Sequence, residues 1–258
     1  METQNTQNNK SIIPPNQGKS LAAKEEILPA LPSTSWGAEQ ADASDIIIPR
    51  VLLMQGLSDF VKQRKAMAGD IVDSLSKKIL GSFEKPIEII PIMRAAKVWI
   101  VDEQLSPKTW TFKDRIEWSV GNAGWEARDQ REILINGVLT RRTLCLDYFV
   151  VIPSMMDGLP HMISFRKTSF QTGKQMSTYF TECRMKNRPP ASRVFTLGAH
   201  EKSKDSNSWF VFDLSEKRET NPEEMKNAYT WYQTLSTMKV KIDESEDRGE
   251  PDGDVVPF

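Results

Sequence analysis

The stretch Glu132–Ile152, EILINGVLTRRTLCLDYFVVI, decides the fold that this sequence predicts. Within it, Asn136 and Gly137 stand between two apolar runs. An Asn-Gly pair in this position is typical of a two-residue type I′ turn, because both turn residues need a positive φ. We therefore predict a β-hairpin over residues 132–142.

Further strands are predicted on both sides of this hairpin. Segments 143–152 and 162–168 flank a turn with Asp157-Gly158, which predicts a second antiparallel pair. The apolar run 86–101 contains Pro91, which a central strand tolerates only at a bulge, so a bent strand is expected there. The remaining predicted strands lie near residues 46–52, 69–75, 193–198 and 208–214.

Two helices complete the predicted elements. Thr168 or Ser169 is expected to cap a helix that ends near Lys186, and Asn221 opens a second helix that ends near Thr237. The fold class is therefore mainly β, with two helices. We predict an OB-like antiparallel barrel with additional strands, and a β-sandwich fits the same set of strands.

Charge and composition divide the chain into three parts. Residues 1–44 are rich in Asn, Gln, Ser and Pro and predict a disordered N-terminal arm, followed by a nucleic-acid-binding domain over 45–238 and a disordered acidic tail over 239–258. The chain carries a net charge of −1, with −2 in residues 1–44 and −6 in residues 243–258, which leaves +7 for residues 45–242. A basic body with an acidic tail is typical of a protein that binds a polyanion.

The sequence offers little for a metal site, a cofactor or a membrane span. Cys145, Cys183, His161 and His200 lack the spacing of metal ligands, so we predict no metal and no cofactor. The apolar runs fall short of the roughly 20 residues that a membrane-spanning helix needs, and the N-terminus lacks the order of a signal peptide. We expect a cytoplasmic protein that does not contact a membrane.

The segment 161–204 holds nine Lys or Arg against two Glu, a net of +7. Aromatic residues are interleaved with these cations, and this combination binds single-stranded nucleic acids, because cations neutralise phosphates while aromatic rings stack on bases. Phe170, Tyr179 and Phe180 recur at helical spacing and are assigned to the core, whereas Phe165 fits the core and a stacking role equally well. The predicted interface residues here are Phe165, Arg166, Lys167, Lys174, Arg184, Lys186, Arg188 and Arg193.

A second group of stacking candidates lies in the polar stretch 102–128. Trp110 and Trp118 are predicted to join the interface, and Trp125 is a further candidate. The alternative is that these tryptophans anchor an irregular segment to the core.

The last residues, DGDVVPF, end on an apolar tip that a purely solubilising tail does not need. This tip resembles the acidic C-terminal tip, ending in Asp-Ile-Pro-Phe, of bacterial single-stranded DNA-binding proteins. The resemblance implies that the tip recruits replication or recombination proteins, with the Phe ring in an apolar pocket and the carboxylates on a basic rim. The residues concerned are Asp252, Asp254, Val255, Val256, Pro257 and Phe258.

The start of the body carries a second resemblance, to uncharacterised proteins of tailed phages that are associated with single-stranded DNA binding and recombination. The residues that carry it are Ile48, Pro49, Arg50, Leu52, Leu53, Gln55, Ser58, Ala68, Gly69 and Asp70. We therefore expect a phage-type single-stranded DNA-binding protein, located in the cytoplasm of the host cell. A homo-oligomer is compatible with this interpretation.

The predicted function is binding of single-stranded DNA without sequence specificity in phage replication or recombination. The sequence carries no phosphate-binding loop and no nucleophile elbow, so an enzyme is not expected. Two alternatives stay open: a virion or assembly protein with a solubilising tail and, with less support, a metal-dependent recombination nuclease. Asp70, Asp73 and Glu88 are the carboxylates that such a nuclease would use.

Overall fold

The computed structural model describes residues 46–106, 109–118, 132–155, 158–237 and 241–242. The predicted N-terminal arm, and the predicted tail apart from residues 241–242, lie outside the described residues. The strands are, in chain order, β1 (Ile47–Ile48), β2 (Arg50–Leu53), β3 (Ile71–Asp73), β4 (Ile79–Gly81), β5 (Ile87–Ser106), β6 (Thr109–Glu117), β7 (Glu132–Ile135), β8 (Val138–Val151), β9 (His161–Arg166), β10 (Arg193–Lys204), β11 (Asn207–Glu219) and β12 (Lys241–Ile242). The described helices are α1 (Asp59–Lys62), α2 (Phe170–Met185) and α3 (Pro222–Thr237).

The prediction of a mainly β fold is confirmed, and the hairpin at Asn136-Gly137 is present. Ile135 pairs with Val138 across the turn, and Asn136 and Gly137 have φ angles of 50° and 80°. Both turn residues therefore have the positive φ that a type I′ turn requires.

The long strands β5 and β8 form the spine of the main sheet. They pair antiparallel from Ile90–Val151 to Glu103–Thr140. The register shifts between Arg94 and Ala96, and it also shifts between Pro91 and Met93. This shift confirms the bulge expected at Pro91, which has no N–H to contribute to the ladder.

Shorter strands flank this spine at its two ends. The main sheet runs in the order β11-β10-β5-β8-β9-β2-β3-β4, while β6 also pairs with β5 and β7 also pairs with β8. The pairs β5–β6 and β7–β8 therefore extend the sheet as a four-stranded arm at one end of the spine.

Both faces of the sheet are covered by a helix near the middle of the spine. Leu146, Tyr148 and Val150 of β8 point to one face, where they form a core with Met176 and Tyr179 of α2. Phe149 and Val151 point to the other face, where the core includes residues of α3. Because side chains alternate along a strand, the apolar run of β8 supplies both cores.

The sheet does not close into the predicted OB-like antiparallel barrel. Within the described residues it is open, with β11 at one edge and β4 at the other, and it is mixed because β2 and β9 run parallel. The two ends nevertheless approach each other through a side chain. Gln55 donates from Nε2 to the Phe210 carbonyl at 3.0 Å, and its Oε1 accepts from the Phe210 N–H at 2.9 Å. The Gln55 side-chain amide thus makes the two hydrogen bonds that a neighbouring strand would otherwise make with Phe210.

The two predicted helices are confirmed, but one of the predicted caps is wrong. Asn221 and Glu224 of α3 form a reciprocal capping box, with N–H to side-chain distances of 2.8 Å in both directions. Before α2, the Ser169 hydroxyl accepts from the Phe212 N–H instead of capping the helix. The one-turn helix α1 was not predicted, because four residues carry too little periodicity.

The body extends beyond the predicted boundary at residue 238. Strand β12 pairs in parallel with β1, and Ile242 packs against the core that contains Ile48 and Leu235. Within 239–258, residues 241–242 therefore form part of the folded body.

A buried side-chain hydrogen bond joins β3 to β9 across β2. His161 Nε2 lies 2.7 Å from Asp73 Oδ2, and both residues are less than 5% exposed. Burial alone would raise the pKa of the Asp73 carboxyl, but hydrogen bonds from His161 and Ser76 hold this pKa at about 2, below its usual value of 3.8.

This lowered pKa predicts how the stability of the protein depends on pH. Because the folded pKa lies below the unfolded one, the Asp73 carboxylate stabilises the fold by about 2 kcal/mol above about pH 4, and this contribution is lost as the pH falls towards 2. Urea unfolding should show Asp73→Asn less stable than the wild type at neutral pH, with the difference shrinking at about pH 2. The control is Asp59→Asn at a carboxylate that is 60% exposed. A difference that stays constant with pH would contradict this role of the charge.

The Phe165 ring predicts a large stability effect. It is fully buried and packs edge-on against Tyr148 and Phe212, with ring centroids 5.9 and 5.7 Å away. We expect Phe165→Ala to lower the free energy of unfolding by about 3–5 kcal/mol, because the cavity it leaves cannot collapse fully. Phe83→Ala, at a ring that is 47% exposed, is the matched control and should cost much less. Similar losses in the two variants would show that Phe165 is not part of the tightly packed core.

Candidate nucleic-acid interface

The main sheet divides the basic segment 161–204 between its two faces. Phe165 and Arg166 are adjacent in β9, so their side chains point to opposite faces, Phe165 towards α2 and Arg166 away from it. Helix α2 packs on the Phe165 face. The cations of α2 and Arg166 therefore do not line one groove.

Phe165 is the clearest correction among the predicted interface residues. Its ring has no exposed surface, and a β-carbon added at Gly173 of α2 would lie 2.6 Å from the Phe165 β-carbon. A ring enclosed in this way cannot stack on a nucleic-acid base. The sequence did not separate the two roles because apolar and aromatic residues serve both.

The predicted cations on and after α2 are mostly engaged locally. Lys186 pairs with Glu182 at 3.2 Å, and Lys174 lies over the Phe170 ring at 5.5 Å. Arg188 lies over the Tyr179 ring at 5.5 Å, while Arg184 is exposed. These positions fit a solvated helix face. Farther along, Arg193 contacts Glu216 and Glu219 of β11 at 3.4 and 3.0 Å, which neutralises it.

The two predicted tryptophans lie on opposite faces of the four-stranded arm formed by β5, β6, β7 and β8. Trp110 is 8% exposed, and the Arg141 guanidinium covers its ring at 4.5 Å. Trp118 is half-buried on the other face, with Lys97 Nζ 3.8 Å from its ring centroid. The buried Trp110 ring supports Arg141 and does not itself present a stacking surface. Trp125 lies outside the described residues.

Four arginines from distant parts of the sequence lie on the sheet face opposite α2. We call this surface the arginine face: Arg50 of β2, Arg115 of β6, Arg141 of β8 and Arg166 of β9. Arg141 shares its face with Cys145 and Asp147, since alternate residues of β8 point the same way. At the usual strand rise, Arg141 and Asp147 are separated by about 20 Å along β8.

Asp147 organises the buried end of the arginine face. Its carboxylate is 1% exposed, pairs with Arg115 and accepts from Ser164 Oγ at 2.7 Å. Arg50 Nη2 donates to the same Ser164 hydroxyl at 3.3 Å. The carboxylate thus links β6, β8 and β9 directly and β2 through Ser164, which fixes Arg50 and Arg115 relative to one another.

The pKa of the Cys145 thiol reflects the charges around this network. Arg166 lies opposite Cys145 in the register of β8 and β9. Burial, the largest effect, and Asp147 raise the pKa of the Cys145 thiol, while the positive charges of Arg115 and Arg166 oppose that rise. The thiol therefore stays protonated.

Sequence reasoning missed Arg50, Arg115 and Arg141. They are separated by 26 residues or more, so no window along the chain holds them together. The available signal was the alternation in residues 141–147, Arg-Arg-Thr-Leu-Cys-Leu-Asp, which puts polar and small residues on one face and mostly leucines on the other. It does not reveal which other strands share that face.

The carboxylates that a nuclease would use are dispersed. Asp70 accepts from the Met67 N–H at 2.7 Å, Asp73 pairs with His161, and Glu88 binds Lys217 and Arg218 at 2.6 and 2.8 Å. Across the described ranges, no group of three or more His, Cys, Asp or Glu is placed to hold a metal ion. The predicted partner-binding tip, residues 252–258, lies outside the described residues.

Comparisons with known proteins give a family for this chain. No curated protein and no solved structure matches it. In the part of the chain that the structure describes, no helix has the length and apolar character to cross a membrane. The family model of the Pam3 phage gp34-like protein matches residues 19–241, which include the whole sheet and all the described helices. The chain therefore belongs to the Pam3 phage gp34-like protein family.

Proposed function

We propose that this protein binds single-stranded DNA without sequence specificity and does so through the arginine face. The observation that carries the proposal is the gathering of Arg50, Arg115, Arg141 and Arg166 on one side of the sheet, in a body whose net charge is +7. Arginine is well suited to phosphate, because its planar guanidinium presents five N–H donors in a fixed geometry.

The outer arginines are the proposed contacts with the nucleic acid. Arg166 is half-buried at the end of β9, next to the exposed Lys167, and phosphates are expected to bind at this pair. Arg141 is held over Trp110 and bonded to Asp102 at 3.0 Å, so its guanidinium plane is fixed. A fixed guanidinium plane supports stacking with an unpaired base. Arg50 and Arg115 are buried and serve as the base of the site.

The family match supports a phage context for the proposed function. The family is that of a phage protein, which supports a bacteriophage origin for the chain. Phage replication and recombination expose single strands, and a binder without sequence readout would protect them. The proposal involves no sequence readout, since phosphate contacts carry no sequence information.

The acidic tail has two roles in this proposal. Residues 243–258 carry −6 and are expected to compete with DNA for the basic body. When DNA displaces the tail, Val256, Pro257 and Phe258 would be presented to replication or recombination proteins of the phage or host. The support for this second role is the apolar ending of an otherwise acidic segment.

Charge reversal on the two faces of the sheet tests where DNA binds. Arg166→Glu/Lys167→Glu should weaken binding to oligo-dT about tenfold or more and reduce the salt slope by about 1.4, since each lost phosphate contact on a single strand removes about 0.7. Fluorescence anisotropy over a salt series measures both quantities.

The matched control is Arg184→Glu/Lys186→Glu, which makes the same charge change at exposed positions of the α2 end. Its affinity should stay well above that of the Arg166/Lys167 variant. A weaker affinity in the Arg184/Lys186 variant than in the Arg166/Lys167 variant would move the interface to the α2 side.

The same binding assay separates the alternative functions. If the wild type does not bind at about 50 mM salt, the virion or assembly role is favoured instead. Metal-dependent degradation of DNA that Asp70→Ala abolishes would favour the nuclease.

Removal of the tip tests both proposed roles of the acidic tail, competition with DNA and capture of partner proteins. Deleting the last eight residues removes two Asp and the apolar tip, so oligo-dT affinity should be equal or higher while capture of partner proteins is lost. Phe258→Ala is the matched variant that keeps every acidic side chain. It should lose partner capture and keep wild-type DNA affinity. A lower DNA affinity after the deletion would contradict competition by the tail.

A further inference from the structure

The outer edge of β11 is covered by side chains instead of a neighbouring strand. In an edge strand, alternate residues point their N–H and C=O groups away from the sheet. In β11 these residues include Phe210, Phe212 and Leu214. Gln55 binds both backbone groups of Phe210, at 3.0 and 2.9 Å.

The same pattern continues along the edge. The Phe212 N–H donates to Ser169 Oγ at 3.1 Å, and its carbonyl accepts from Thr172 Oγ1 at 2.8 Å. The Leu214 N–H donates to its neighbour Asp213 Oδ1 at 3.0 Å. Five successive outward backbone groups are thus satisfied by side chains from three separate parts of the fold.

The residues that supply these bonds are held in place. Gln55 begins a turn in which its N–H donates to Ser58 Oγ and its carbonyl accepts from the Ser58 N–H, both at 3.0 Å. Ser169 and Thr172 are fixed at the start of α2, with Ser169 8% exposed. Phe210 packs against Phe83 with ring centroids 5.7 Å apart, and Gly69 gives it room because a β-carbon there would lie 2.7 Å from the ring.

We propose that Gln55, Ser169 and Thr172 form an edge cap that keeps β11 from pairing with β11 of a second copy of this chain. An uncovered edge strand is a template for strand addition. The same strand on two copies is self-complementary when paired antiparallel about a two-fold axis. Beyond the cap, Lys217, Arg218 and Glu219 continue the edge with charges, a second feature that disfavours pairing. This inference does not depend on DNA binding.

Residue-resolved amide exchange tests the cap directly. In the wild type, the Phe210 and Phe212 amides should exchange slowly, because each donates to a fixed side chain. Gln55→Ala should speed exchange at Phe210 at least about tenfold and leave Phe212 unchanged, whereas Ser169→Ala should do the opposite. Gln55→Glu retains an acceptor for the Phe210 N–H and should keep that amide slower than Gln55→Ala does. Fast exchange at both amides in the wild type would overturn the proposal.

The molecular mass in solution tests whether loss of the edge cap lets two copies of the chain associate. Light scattering after gel filtration, over a range of protein concentrations, should give Gln55→Ala/Ser169→Ala/Thr172→Val a larger mass than the wild type. Thr178→Val, which removes an exposed hydroxyl bonded only within α2, is the matched control and should leave the mass unchanged. If the triple variant does not fold, the double variant Ser169→Ala/Thr172→Val, which keeps the Gln55 contact, is used in its place. An unchanged mass in a variant that has lost amide protection would refute the cap's role.

Discussion

Antiparallel pairing between β5 and β8 is the constraint on which the rest of the structure depends. These strands, of 20 and 14 residues, carry flanking strands along both outer sides and a helix on each face. Their middle is apolar on both faces, because α2 covers Tyr148 and α3 covers the face of Phe149. A one-residue slip between them would exchange the two cores, so hydrophobic burial fixes their register.

The segment after β2 approaches β11 at the edge of the sheet, but within the described residues no backbone ladder joins them. The amide of Gln55 takes the place that a strand next to Phe210 would occupy, and the start of α2 does the same for Phe212. Backbone groups near the core need partners, and side chains supply them at less cost than leaving them unsatisfied. The sheet therefore stays open, and side chains bind the outward backbone groups of β11.

The arginine face shows how a sheet brings residues from distant parts of the sequence together on one surface. Arg50, Arg115, Arg141 and Arg166 belong to four strands that become neighbours through β5, β8 and β9. Asp147 holds Arg115 directly and Arg50 through Ser164, since a buried carboxylate with several donors resists displacement. The charges of segment 161–204 are close together in the sequence, but the sheet distributes them over two faces.

The sequence by itself determined the features that depend on a few adjacent residues. The turn at Asn136-Gly137, the bulge at Pro91 and the capping box of Asn221 and Glu224 follow from local φ preferences, a missing N–H and nearby donors. Only the tertiary structure decided that the sheet stays open, that Phe165 is core and that the arginines share a face. These features depend on which strands become neighbours and on which face each side chain points to. Both are set by packing between residues far apart in the chain, and local pattern does not encode them.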